Sequence, residues 1–155
     1  MKIKVLAVTL IVAMAAFLTE PHGPLGAFWA PAPDIPDAVG VQIPLFMALG
    51  VVEALVCGIG IAFLLFGFST VRHDNVSPGL ARAAHLAITW ILVNWWAHDS
   101  LHLHNGMDLS GLLKIEYGFH MTLIAAGLTL AWFFSSVART STPGATVGVR
   151  TASLL

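Results

Sequence analysis

Three histidines and two glutamates stand in otherwise apolar stretches of the sequence, at spacings that suit a metal site. His98 and His102 are four residues apart, and so are Glu116 and His120. In a helix, residues four apart lie on the same face, so each pair can reach one ion. Imidazole and carboxylate groups are common ligands of copper, zinc and iron. The sequence therefore predicts a site for one of these metals. The predicted ligands are His98, His102, His120, Glu116 and Glu53.

Two more polar residues stand beside these ligands. Asp99 directly follows His98, and Asn94 precedes His98 by about one helical turn. A metal-bound histidine usually donates its second ring N–H to a carboxylate or carbonyl group, which fixes the orientation of the ring. We expect Asp99 and Asn94 to orient the histidines in this way. The alternative is that all these polar groups form an interhelical hydrogen-bond network that holds no metal.

The spacings differ from those of two common metal motifs. The stretch from Glu116 to His120 is one residue longer than the Glu-x-x-His motif of di-iron bundles, and it occurs only once. The stretch from His98 to His102 has Asp99 in place of the glutamate of zinc proteases. The pattern therefore predicts a metal site that is neither a di-iron centre nor a zinc-protease site. It does not by itself distinguish an enzyme from a binding protein.

The composition is that of an integral membrane protein. Of the 155 residues, 57% are hydrophobic and 10% are charged, against about 25% charged residues in soluble domains. The mean hydropathy is +0.85. The net charge of -1 provides no basic patch, so we expect no nucleic-acid partner. Cys57 is the only cysteine, which excludes an intrachain disulfide.

Four apolar segments predict an all-α fold, a small bundle of four transmembrane helices. We expect a single domain over residues 1–139, followed by a flexible cytoplasmic tail over 140–155. The predicted helices cover about 3–19, 43–69, 78–104 and 109–138. The first is short for a span, which needs about 17 to 25 residues. We favour a retained helix, and the alternative is a cleaved signal peptide, which would leave three helices.

The positive charges predict the orientation of the helices. If the helices alternate in direction, Lys114 lies alone on one side, and the other side holds Lys2, Lys4, Arg72, Arg82, Arg139 and Arg150. The side richer in Lys and Arg is usually cytoplasmic. We therefore expect cytoplasmic termini, a plasma or inner membrane location, and a metal site towards the extracytoplasmic side. The proline-rich loop over 20–40 would lie on that side, as a stiff connector or, alternatively, as a lid over the site.

Three functions fit these patterns. The first is an integral membrane metal-binding protein, for metal handling or for metal-dependent oxidation of a small lipophilic substrate. The second is a non-catalytic accessory subunit or a proton-relay element of a larger membrane complex. The third is a single b-haem protein, with His120 and a histidine of the third helix as axial ligands. The expected partners are the lipid bilayer and other membrane subunits or further copies of the chain.

Overall fold

The described part of the chain is all-helical. The structure is a computed structural model that describes residues 2–140, and it contains no strand in that range. From residue 141 on, the predicted tail lies outside the described residues. The helices are α1 (Lys2–Thr19), α2 (Gln42–Phe66), α3 (Phe68–Val71), α4 (Pro78–Asn105) and α5 (Leu109–Thr140), with a 3-10 helix at Gly26–Trp29 between α1 and α2.

Three of the helices are long and apolar enough to cross a membrane. They are α1, α2 and α5. Helix α4 has 28 residues, which is long enough to cross a membrane. It carries many of the polar residues of the candidate site, and its mean hydropathy is too low for it to count as a candidate span. The structure thus supports a helical membrane protein with three candidate spans, where the sequence predicted four.

The long helices pack in the order α1, α2, α4, α5, and each runs antiparallel to its neighbour. Helix α2 packs on both α1 and α4, and α5 packs mainly on α4. A side chain at Gly58 of α2 would collide with the carbonyl oxygen of Thr9 in α1. Small residues at such positions let helix backbones approach closely. Between α4 and α5, the Trp90 indole N–H donates to Thr122 Oγ1 at 3.0 Å.

The sequence predicted a single helix over 43–69, but α2 ends at Phe66. The N–H of Gly67 donates to the carbonyl oxygen of Phe63 at 2.7 Å, and the short helix α3 follows. Glycine is a poor helix former because it loses more backbone entropy than other residues on folding. A second group, His85 Nε2 of α4, lies 2.9 Å from the same Phe63 oxygen. A contact from α4 thus accompanies the break in α2.

Helix α4 begins and ends at residues suited to these positions. Ser77 Oγ accepts a hydrogen bond from the Leu80 N–H at 3.3 Å, and Pro78 occupies the first turn. After the last turn, Gly106 has a φ of 61°, which favours glycine. The Asp108 carboxylate then accepts hydrogen bonds from two N–H groups in the first turn of α5. We call the end of the helix array that holds residues 105–108 the turn end.

The opposite end, which we call the basic end, holds the largest apolar core. The sequence places most of its cations at this end. Its buried core residues are Val71, Val76, Ala81, Ala84 and Phe133. Helices α1 and α5 are little buried by the rest of the protein, since only 11% of the apolar span of each is buried. The exposed sides of these helices are apolar, as is expected of surfaces that face lipid.

Candidate metal centre

The antiparallel packing of α4 and α5 brings the two histidine-containing pairs opposite each other. One ligand atom each from His98, Glu116 and His120 lies within 4.8 Å of the other two. His120 Nδ1 lies 2.7 Å from Glu116 Oε2. His102 Nε2 lies 3.1 Å from Glu116 Oε1 and 3.1 Å from His98 Nε2. His98, Glu116 and His120 therefore form a group that could hold one ion at the turn end, and a fourth predicted ligand, His102, contacts His98 and Glu116.

The separations of these atoms are close to those that a small metal ion requires. Ligand nitrogen and oxygen atoms about 2.0 to 2.1 Å from a tetrahedral ion lie roughly 3.4 Å from one another. The observed distances of 2.7 to 3.1 Å between neighbouring atoms are slightly shorter. The ligand atoms of His98, Glu116 and His120 all lie within 4.8 Å of one another. The donor set of three imidazoles and one carboxylate suits zinc, copper or iron.

The group is covered on the α4 side and open on the α5 side. The exposed fraction of the side chain rises from 17% for His98 and 28% for His102 to 42% for Glu116 and 55% for His120. Glu116 and His120 lie on an open face of α5, beside Leu113, Tyr117 and Met121. A small molecule could therefore approach the group from the outer face of α5.

Asp99 lies where a residue that orients His98 would lie. Its Oδ1 atom is 3.0 Å from His98 Nδ1. Since an ionised carboxylate can only accept, the His98 Nδ1–H donates this hydrogen bond, which leaves a lone pair on Nε2. That nitrogen is the one that faces His102. The contact thus prepares His98 to bind a cation through Nε2.

Glu53 and Asn94 do not join the group. Consecutive helical residues point about 100° apart, so His98 faces α5 while Asp99 faces α2. The partner of Glu53 on α4 is therefore Asp99 rather than a histidine. Asn94 is 1% exposed, and its amide donates to the carbonyl oxygens of Trp90 and Ile91 in its own helix. Among the described residues, no hydrogen bond joins it to His98, His102 or His120.

Phe119 closes one side of the group, a role that the sequence did not reveal. Its ring centroid lies 5.1 Å from that of His98, in an edge-on arrangement. The Phe119 ring also stacks on the Trp90 ring, with centroids 5.6 Å apart. The sequence feature that could have indicated this role is the position of Phe119. It stands next to His120 and four residues after Ile115, on the apolar side of α5 that packs against α4.

The loop over 20–40 is fastened to the turn end of α4 and does not contact the histidine group. The Ala32 N–H donates to the Leu103 carbonyl at 2.9 Å, and the Met107 N–H donates to Asp34 Oδ2 at 2.9 Å. His104 Nδ1 lies 3.1 Å from the Ala30 carbonyl oxygen. These bonds hold His104 against the loop. Its imidazole therefore points away from the group.

Comparison with known proteins adds no assignment to this geometry. No known protein family, characterised protein or solved structure matches this chain. The function is therefore inferred from the residues and their arrangement.

Proposed function

We propose that this protein is an integral membrane metal-binding protein whose ligands are His98, His102, Glu116 and His120. The observation that supports the proposal is the convergence of ligand atoms from two helices within 4.8 Å. Ionisable groups at membrane depth are costly, and they usually mark functional sites. Two imidazoles and a carboxylate within reach of one point, with a third imidazole 3.1 Å from two of them, would lower this cost by binding a cation.

The proposed metal is copper, zinc or iron, and the proposed site is open rather than closed. Structural zinc sites are usually enclosed by four protein ligands, whereas catalytic sites keep one position for water or substrate. The exposed side of Glu116 and His120 supports the second kind of site. Such a site suits metal handling or metal-dependent oxidation of a small lipophilic molecule, because apolar side chains flank the open side of Glu116 and His120.

We further propose that α4 is a fourth membrane span and that the basic end is cytoplasmic. The polar residues of α4 face α2 and α5, so the helix need not expose them to lipid. The basic end holds Lys2, Lys4, Arg72 and Arg82, which favours its cytoplasmic placement. The metal site would then lie towards the extracytoplasmic side of the plasma or inner membrane.

Single cysteines test this orientation. Met107 and Asn75 are exposed residues at opposite ends of the array, and Cys57 is buried and can be removed by Cys57→Ala. In that background, Met107→Cys should react in intact cells with a reagent that does not cross membranes, and Asn75→Cys should react only after lysis. The reverse pattern would place the site on the cytoplasmic side.

The second candidate is an accessory or proton-relay element of a larger membrane complex. It is supported by the series of polar contacts that runs from Glu53 through Asp99 and His98 to Glu116 on α5. This network could serve as interhelical glue without a metal. The b-haem alternative is less favoured, because the Glu116 carboxylate lies between His102 and His120, where axial ligands would need room for a planar macrocycle.

Metal analysis of the purified protein tests the proposed function. Protein extracted in detergent without chelators should carry about one transition-metal ion per chain. Stripped protein should take up Zn²⁺, Cu²⁺ or Fe²⁺ to the same ratio when each is supplied alone. An optical spectrum of the same sample should lack the Soret band of haem. A stripped chain that takes up none of the three ions would contradict the proposal.

A further inference from the structure

A recess lies on the other flank of the α4–α5 contact, away from Glu116 and His120. It is a groove of about 360 Å³, with Trp90 and Leu101 from α4 on one wall. Ile115 and Phe119 of α5 contribute further apolar surface. At Gly118 of α5 an added Cβ would meet no atom within 4 Å, so the glycine leaves the groove open along its side.

The groove has a lysine at one end, and at the other end two polar side chains that are hydrogen-bonded to each other. Lys114 lines the groove on the side of the turn end. Thr122 lies eight residues further along α5, which is roughly 12 Å at the helical rise, and its hydroxyl is bonded to the Trp90 indole. Among residues 2–140, Lys114 is the only Lys or Arg near the turn end, and it forms no salt bridge with another described residue.

We propose that this groove binds an anionic phospholipid, with one acyl chain along the groove and the phosphate beside Lys114. Lys114 lies about 8 Å from the start of α5, a depth from which a lysine side chain reaches the headgroup region. A soluble anion would use Lys114 alone, whereas a phospholipid matches both the charge and the apolar walls. This site goes beyond the proposed metal site, since the two lie on opposite flanks of the helix pair.

One residue is common to the groove and to the surroundings of the histidine group. Phe119 lines the groove and also packs on His98. A chain bound in the groove would therefore rest against the residue that covers the histidine group, without touching the proposed ligands. Lipid binding needs no metal, so the two proposals can fail separately.

Two glycines of α5 provide a matched pair of variants. Gly118 lines the groove and Gly127 does not, and at both positions an added Cβ meets nothing within 4 Å. The protein is placed in nanodiscs of equal parts phosphatidylcholine and phosphatidylglycerol, and retained lipid is measured by native mass spectrometry after release into detergent. Gly118→Leu should lower retained phosphatidylglycerol about fifteenfold, as expected if two methylene groups lose their burial. Gly127→Leu should match the wild type.

The lysine tests the headgroup contact. Lys114→Gln should reduce the preference for phosphatidylglycerol over phosphatidylcholine about fivefold, which is the effect of one basic residue near an anionic surface. Lys114→Arg should keep the preference. Bound metal, measured on the same samples, should be unchanged in all four variants. Loss of metal with lipid retained would count against the separation of the two sites.

A measurement on the wild type guards against variants that fail to fold. Brominated phosphatidylglycerol should quench tryptophan fluorescence more than brominated phosphatidylcholine does, and Trp90→Phe should remove this difference. The proposal is overturned if the two lipids quench alike, or if folded Gly118→Leu and Gly127→Leu retain equal amounts of phosphatidylglycerol.

Discussion

Helix α4 carries histidines near both of its ends, and their surroundings differ. At the basic end, His85 is 7% exposed, bonds to the Phe63 carbonyl oxygen, and packs against the rings of Phe63 and Phe68 at 5.0 and 5.5 Å. At the turn end, His98 and His102 bond to each other and to carboxylates. The two regions therefore differ in the hydrogen-bond partners of their histidines. A backbone carbonyl leaves His85 a packing residue, whereas neighbouring titratable side chains make His98 part of the candidate ligand group.

The distance between the two regions makes the comparison testable. His85 and His98 are thirteen residues apart, or about 20 Å along the helix. Substitutions at sites this far apart, with no shared partner, usually act independently. Effects on metal and effects on stability should therefore separate between the two ends.

The largest expected effect is the loss of metal at the turn end. His98→Ala and His120→Ala should each remove most of the bound metal, because losing one of four ligands opens the coordination sphere. His85→Ala, at the basic end, should leave the metal content unchanged. Bound metal is measured by elemental analysis of the three purified variants beside the wild type. Equal metal in all of them would favour the interhelical network and the accessory-subunit function.

A smaller effect is expected from the residue that orients His98. Asp99→Ala should weaken metal affinity about 10- to 100-fold, since such orienting partners usually contribute that much. Asn94→Ala provides the contrast, because Asn94 bonds only within its own helix and should change stability but not affinity. Titration of the stripped proteins with Zn²⁺ measures both. Equal losses in the two variants would mean that Asp99 has no special role.

The basic end should respond in stability alone. His85→Ala removes the hydrogen bond to Phe63, and interhelical hydrogen bonds in membrane proteins contribute about 0.6 kcal/mol on average and at most about 1.7 kcal/mol. Unfolding of the stripped wild type and the variant in the same detergent measures this difference. A larger loss would indicate that the packing of the His85 ring on Phe63 and Phe68 also contributes to stability.

The smallest effect concerns Glu20, which follows α1 at the turn end. Burial raises the pKa of its carboxyl above the ordinary value of 4.5, and the charge of His22 partly offsets this rise. Folding therefore favours the protonated form. The cost of ionisation appears as the pH rises through the raised pKa and is absent below the ordinary value.

Glu20→Gln should therefore raise the thermal midpoint slightly at neutral pH and leave it unchanged at about pH 4. The comparison uses stripped protein, so that metal binding does not contribute. Asp37→Asn, a change at an exposed loop carboxylate, serves as the control. A gain that is the same at both pH values would show that ionisation of Glu20 is not its cause.

Local sequence signals predicted much of the helical pattern. Ser77, Pro78 and Gly106 stand at the ends of α4, because capping and positive φ depend on residue type and immediate neighbours. The break after Phe66 was not predicted, although Gly67 was visible in the sequence. A glycine within an apolar run is compatible with a continuous helix, and the contact from His85 that accompanies the break comes from another helix.

For the candidate site, the sequence determined which residues share a helix face, and the tertiary structure decided which faces meet. The spacing of four residues placed His98 beside His102 and Glu116 beside His120, because the helical repeat is fixed by backbone geometry. Glu53 was predicted as a ligand of the same site as Glu116, yet its partner on α4 is Asp99. Its position depends on α2 packing on one side of α4 while α5 packs on another. Such long-range packing is set by the fit of whole helix surfaces, which no local spacing encodes.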